Sequence, residues 1–288
     1  MTKKIILSSI ATILSGFFFV FNDAVINYLS PLNIKFYHFI FYGTPAYLSV
    51  PIYLLFVKKL KLNIKAKNYY IPLLRGILFI PMPLISFVAL KNISLPEFTT
   101  INMSAPIFAG ILSIFYLKEK FNSYVLFSLL FGIVGVIFVI QPGFQNFNYY
   151  FLLALLHAFL ITFNTILVNK YNKATSSLGY FIYGGIFIHF LSLIFFIFDP
   201  LKISFYIFIL ITLASIMINL AIFLSIYAFK LSQKYYASVF CLVYLQILWS
   251  YLLGIYIFNE YLNNFALIGA FLIILSGIIS IPGQFKQA

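Results

Sequence analysis

FYIFILITLASIMINLAIFLSIYAF, residues 205–229, runs for 25 residues with no charged side chain and only Thr212, Ser215, Asn219 and Ser225 among small polar ones. A hydrocarbon core about 30 Å thick needs roughly 20 apolar residues of helix, so this run reads as a membrane span. Moving outward from it, nine more runs of the same kind fill the chain: Ile5–Tyr28, Phe36–Val57, Tyr69–Leu90, Ile93–Leu117, Tyr124–Ile140, Tyr149–Asn169, Leu178–Phe198, Tyr235–Phe258 and Phe265–Ile281. Only short loops remain, so no aqueous domain is expected. With 64% hydrophobic residues, 8% charged and a mean hydropathy of +1.07, the chain lies far from a soluble domain, in which about 25% of residues are charged.

The net charge of +13 raises the question of a nucleic-acid partner. The lysines sit at span ends and form no groove with interleaved aromatics, which argues against one. With the N-terminus inside, 14 lysines fall in cytoplasmic segments against Lys35, Lys91 and Lys202 outside. The positive-inside rule then puts both termini in the cytoplasm, and the expected location is a bacterial inner membrane. Lys3 and Lys4 precede a run too long for a signal peptide, so the first span is read as retained. Cys241, the only cysteine, lies mid-span and is read as packing.

The chain carries an internal echo. Ala89 and Lys91 correspond to Ala228 and Lys230, Glu119 and Asn122 to Glu260 and Asn263, and Pro142-Gly143 to Pro282-Gly283, at offsets of about 140 residues. Five runs precede Pro142-Gly143 and five follow. An odd number of spans per copy forces the second copy to enter from the opposite side, as in inverted-repeat transporters. The expected fold is all-α and integral to the membrane: ten transmembrane helices in two inverted five-helix repeats, residues 1–143 and 144–288, around a central cavity. Pro81, Pro83, Pro96 and Pro106 are expected to bend spans three and four beside it. The pairs Tyr69-Tyr70, Tyr149-Tyr150 and Tyr235-Tyr236 are read as headgroup anchors.

Polar groups within the runs are costly, about 2.5–3.5 kcal/mol for a charge at the helix centre, and so mark candidates. Asp23 suits a proton, a cation or a substrate amine, or merely reaches water. Glu97 stands in the first turn of span four, where the helix dipole alone favours it. Arg75 suits an anion or a carboxylate, or snorkels to the interface. Asn164, Asn219, Tyr244, Gln246 and Trp249 are candidates in the second half, although the last three are too closely spaced to share one direction. His38, His157 and His189 are isolated and read as hydrogen-bonded within the bundle. No metal-ligand cluster is present. Lys118-Glu119-Lys120 reads as an interfacial cluster, and Ser128 with Gly132 as a close-packing pair. No phosphate-binding loop, nucleophile elbow or dinucleotide fingerprint occurs, so neither a cofactor nor an ATP-driven pump is expected.

In the first half, Asn22-Asp23-Ala24, then Arg75-Gly76, Phe87, Ala89-Leu90, Leu95-Pro96-Glu97, Pro106 and Glu119 form an ordered series. Ala228, Tyr244, Gln246, Trp249, Gly254, Phe258 and Glu260 form its partner in the second. In these the chain resembles the drug/metabolite transporter superfamily, specifically its ten-helix EamA-type permeases. Relatives often carry an arginine in span two, where this chain reads Phe41-Tyr42-Gly43. The resemblance implies a non-enzymatic secondary transporter with spans one, three and four facing six, eight and nine. It would move a small polar metabolite, such as an amino acid or an S-adenosylmethionine-like solute, as monomer or homodimer, with a coupling proton or an exchange solute. A membrane-embedded enzyme acting on a lipid-linked or small substrate is the alternative, and a channel is the other rival.

Overall fold

The computed structural model describes residues 2–118, 123–140, 148–232, 235–260 and 263–286, and within them every regular element is a helix. We number the long ones α1 (Thr2–Leu29), α2 (Phe36–Phe56), α3 (Tyr70–Leu90), α4 (Leu95–Leu117), α5 (Ser123–Ile140), α6 (Tyr150–Lys170), α7 (Ser177–Phe198), α8 (Phe205–Ser232), α9 (Cys241–Phe258) and α10 (Asn264–Lys286). A short helix, Leu60–Ile64, lies between α2 and α3, and Tyr236–Phe240 leads into α9. Among the described residues eight helices are long and apolar enough to cross a bilayer. In α5 and α10 the apolar stretches are shorter, Leu126–Phe138 and Leu267–Ile279. Most helices begin and end within a few residues of the apolar runs, while α8 runs on past Lys230 and α10 past Pro282-Gly283. The protein is integral to the membrane, and large side chains such as Phe56, Phe115, Phe198 and Tyr256 stand exposed on its outside.

The helices deform where proline demands it. The tenth residue of α3 is followed by a break at Ile80, with Pro81 opening the next segment. α4 breaks at Met103-Ser104, ahead of Pro106. α9 has no proline, yet it holds a 3₁₀ stretch at Cys241–Leu245. Both α4 and α9 finish in a π-turn, Ser113–Leu117 and Gly254–Phe258, and both are capped by a left-handed residue, Lys118 (φ 57°) and Asn259 (φ 55°).

Packing pairs the helices across the chain: α1 lies along α8 and α9, α6 along α3 and α4, α2 on α7 and α8, α7 on α3, and α5 on α10. The α5–α10 contact uses the small residues. Ser128 Oγ donates to the Ser276 carbonyl at 2.7 Å, and a Cβ on Gly135 would fall 2.7 Å from the Gly269 carbonyl. At one end of the bundle, the Asp199 end, an apolar cluster packs Leu29, Phe39, Leu90, Leu95, Phe151 and Ile211 together. The opposite, Lys173 end has its own, built on Leu54, Ile71, Val168, Tyr180 and Ile226. Two tyrosine pairs are exposed, Tyr70 and Tyr149 most of all. The third differs: Tyr235 and Tyr236 are buried against Phe229 and Phe240, and the Tyr236 hydroxyl meets Thr165 Oγ1 at 2.8 Å. Glu119 and Lys120 of the interfacial cluster, and the Pro142-Gly143 joint between the expected repeats, lie outside the described residues.

Candidate functional site

Between the two end clusters lies a cavity of about 180 Å³. Its walls are helical stripes. On α1 they are Ser15, Phe19, Asn22, Asp23 and Ile26, and on α6 His157, Ile161, Asn164 and Thr165. Both follow the i, i+4, i+7, i+8 spacing of one helix face. Arg75 and Phe79 of α3, Asn102 of α4, Asn219 of α8 and Gln246 of α9 complete the lining used below.

Of the residues singled out in the sequence, the cavity gathers Asp23, Arg75, Asn164, Asn219 and Gln246. Asp23 is half-buried, its carboxylate accepting only a long 3.3 Å bond from the neighbouring Asn22 amide among its described hydrogen bonds. Arg75 is 3% exposed. Its Nη1 donates to the Tyr180 carbonyl at 2.9 Å, while its Nε has no partner. Gly184 makes the space, since a Cβ there would collide with Nη1. The Asn164 amide donates to the Arg75 carbonyl at 3.0 Å and ties α6 to α3 at this level. Among the described residues the ion pairs are confined to Asp199 with Lys35 and His38. Asp23 and Arg75 therefore share one cavity without neutralising each other.

Glu97, Tyr244 and Trp249 stand apart from that cavity. Glu97 closes a capping box: its carboxylate accepts from the Ser94 N–H at 3.0 Å and hydroxyl at 2.9 Å, and its own N–H donates to Ser94 Oγ. Tyr244 is fully buried beside Gly132 and Gly277, toward α5 and α10. Trp249 packs edge-on against Phe17, ring centroids 5.2 Å apart, and is 36% exposed. The histidines are hydrogen-bonded as expected: His38 to the Asp199 carbonyl, His157 to Asn102 Oδ1 and His189 to Thr44 Oγ1.

The cavity also holds polar residues that sequence reasoning did not single out. Asn22 Oδ1 and Thr99 Oγ1 are buried without partners, and Asn102 accepts from His157 at the wall. His157 lies two turns before Asn164 on one face of α6, a spacing that pointed to it. Asn22 adjoins Asp23 and was readable in the same way.

The Asp199 end is closed by polar ties. Lys35 Nζ lies 2.8 Å from Asp199 Oδ2, which also accepts from the Tyr37 hydroxyl. Asp199 holds the Lys35 ammonium above its usual range and is itself held low by Lys35 and Tyr37. Glu260 Oε2 accepts from the Leu95 N–H at 3.1 Å, joining the end of α9 to the start of α4. A Cβ on Gly254 would sit 2.6 Å from Pro96 Cγ, so the two helices touch there. Burial, and secondarily the Glu97 carboxylate, raises the Glu260 pKa, against bonds from Leu95 and Asn27.

Residues 2–141 match the EamA-like transporter family. That match takes in 140 of the 288 residues, so the first half of the chain is EamA-like. Over 71 residues, 25% of this chain, it is 35% identical to Solute carrier family 35 member G1 of Mus musculus. That match spans 19% of the mouse protein, about a fifth of its length. A solved crystal structure superposes on 97% of this chain and 99% of its own with a TM-score of 0.70 at 13% identity, a likeness of fold. Among the described residues no group of His, Cys, Asp and Glu is placed to hold a metal.

Proposed function

We propose that this EamA-like protein is a secondary transporter of a small polar organic solute that carries both a positive and a negative group, working by alternating access. The observation that carries the reading is the cavity in which Asp23 and Arg75 stand unpaired. Each charge costs a few kcal/mol at this depth, and a solute of opposite polarity at each end would offset both. The family match supports transport rather than catalysis, and the lining offers no nucleophile–base pair.

The ten-span, two-repeat arrangement, with halves 1–143 and 144–288, is part of the proposal. The packing supports it, because exchanging each helix for the one five later turns α1–α8 into α6–α3 and α1–α9 into α6–α4. The matched π-turns of α4 and α9 support it at an offset of 141 residues. In this reading the Asp199 end faces outward, both termini lie in the cytoplasm of a bacterial inner membrane, and the transport unit is one chain, as monomer or within a homodimer. A coupling proton or an exchanged solute drives flux.

Counterflow in proteoliposomes tests the function. Unlabelled solute preloaded inside is expected to accelerate entry of labelled solute from a panel of α- and ω-amino acids, nucleosides and S-adenosylmethionine. No trans-stimulation by any of them would refute the carrier mechanism. Recovery of a chemically altered product would instead favour the embedded-enzyme reading.

A further inference from the structure

The cavity is layered. Leu29, Leu90, Leu95 and Phe151 share one apolar cluster, which levels the Asp199 ends of α1, α3, α4 and α6. Counting inward at about 1.5 Å per residue, Asn22, Asp23, Asn102 and His157 lie roughly 9–11 Å deep. Phe19, Phe79 and Ile161 lie roughly 15–17 Å deep, and Ser15, Arg75 and Asn164 roughly 19–23 Å deep. Two cross-ties confirm the levels. His157 meets Asn102 within the first tier, and Asn164 meets the Arg75 carbonyl within the third. The Arg75 guanidinium continues away from Asp23 toward the Tyr180 carbonyl, in the cluster at the Lys173 end.

Two polar tiers of opposite charge are thus separated by an aromatic and aliphatic ring. The nine-residue difference in depth puts Asp23 and Arg75 about 13 Å apart along the axis. Charge-assisted hydrogen bonds of about 2.8 Å occupy each end. A solute that engages both must hold its own charges at least about 7 Å apart, and farther because the guanidinium points away from Asp23. An α-amino acid, with ammonium and carboxylate on one carbon, reaches only one tier.

We infer that the preferred solute is an elongated dipolar molecule: an amine or other cation received by Asp23 and the Asn22 Oδ1, an apolar middle against Phe19 and Phe79, and an acid received by Arg75. This rests on the transporter reading for its biological meaning, while its test is a binding measurement that stands without transport.

The probes are two isomers, 8-aminooctanoate and 2-aminooctanoate, which share composition and chain length and differ in where the amine sits, together with octanoate and octylamine. Binding to the full-length protein in nanodiscs is measured by calorimetry. The 8-amino isomer is expected to bind at least tenfold more tightly than the 2-amino isomer, octanoate or octylamine. Asp23→Asn is expected to remove its advantage over octanoate, and Arg75→Gln its advantage over octylamine. Because Arg75 also holds Tyr180, the Asp23→Asn arm stands alone if Arg75→Gln does not fold. Equal or tighter binding of 2-aminooctanoate, no binding of the 8-amino isomer, or an advantage that survives Asp23→Asn would each overturn the inference. Spacing-dependent binding without counterflow would leave it standing and remove the transport reading instead.

Discussion

Arg75 shows how much one charged side chain asks of its surroundings. Its guanidinium needs a carbonyl from Tyr180 and the bare backbone of Gly184, and its helix is pinned by Asn164. Adding a single methyl group should therefore disturb it. Gly184→Ala places a Cβ against Nη1 and forces the guanidinium off its carbonyl. Overpacking of this kind costs about 1–3 kcal/mol, so the unfolding midpoint is expected to fall by several degrees and counterflow at least fivefold. Wild-type values in both assays would show that the guanidinium has no fixed seat. Much of this residue-level picture was legible beforehand, because a charged or amide side chain in an apolar run is conspicuous. Asp23, Arg75, Asn164 and Asn219 stood out on that ground, and all four line the cavity. Glu97 stood out equally, yet the Ser94-x-x-Glu97 spacing is a capping box and its carboxylate is occupied by its own helix end.

Elements explain what the residues alone could not. The direction of a side chain depends on helix phase, and α9 changes phase twice, through a 3₁₀ stretch and a π-turn. Tyr244, Gln246 and Trp249 leave the helix on different sides, as their spacing alone requires: toward α5 and α10, into the cavity, and toward Phe17. No periodicity in the sequence announces those distortions. The burial of Tyr235-Tyr236 has the same origin, since its hydroxyl partners on α6 come from distant sequence. At the joint of α4 and α9, Glu260 carries a pH signature. Its pKa is raised in the folded state, chiefly by burial. A carboxyl of that kind contributes its full stability below its unfolded pKa and loses it as pH rises through the folded one. Going from pH 7 toward pH 5, the thermal midpoint of the wild type is expected to rise relative to Glu260→Gln. Asp199, whose pKa is lowered, stays ionised over that window and adds no slope. Parallel midpoint curves for the two proteins would refute the assignment.

At the scale of the molecule, the apolar runs announced the helices and their limits, but not which end is shut. That depends on Lys35 meeting Asp199 and Glu260 meeting Leu95 across 164 and 165 residues of chain. Alternating access requires the α4–α9 joint to part. Ser94→Cys and Glu260→Cys, joined by a short bifunctional thiol reagent in a Cys241→Ser background, are therefore expected to abolish counterflow, with recovery on cleavage of the linker. Undiminished flux in the linked protein would mean that this end stays shut throughout the cycle.

Tyr244 has a last implication. Its ring sits between Gly132 and Gly277, where a Cβ at the first would strike the phenol and one at the second would come within 3.2 Å of the tyrosine Cβ. A bulky wedge bordered by two bare backbones is a clearance fit. In the proposed transport cycle, any sliding of α9 past α5 and α10 would meet those two contacts first, away from the residues that line the cavity.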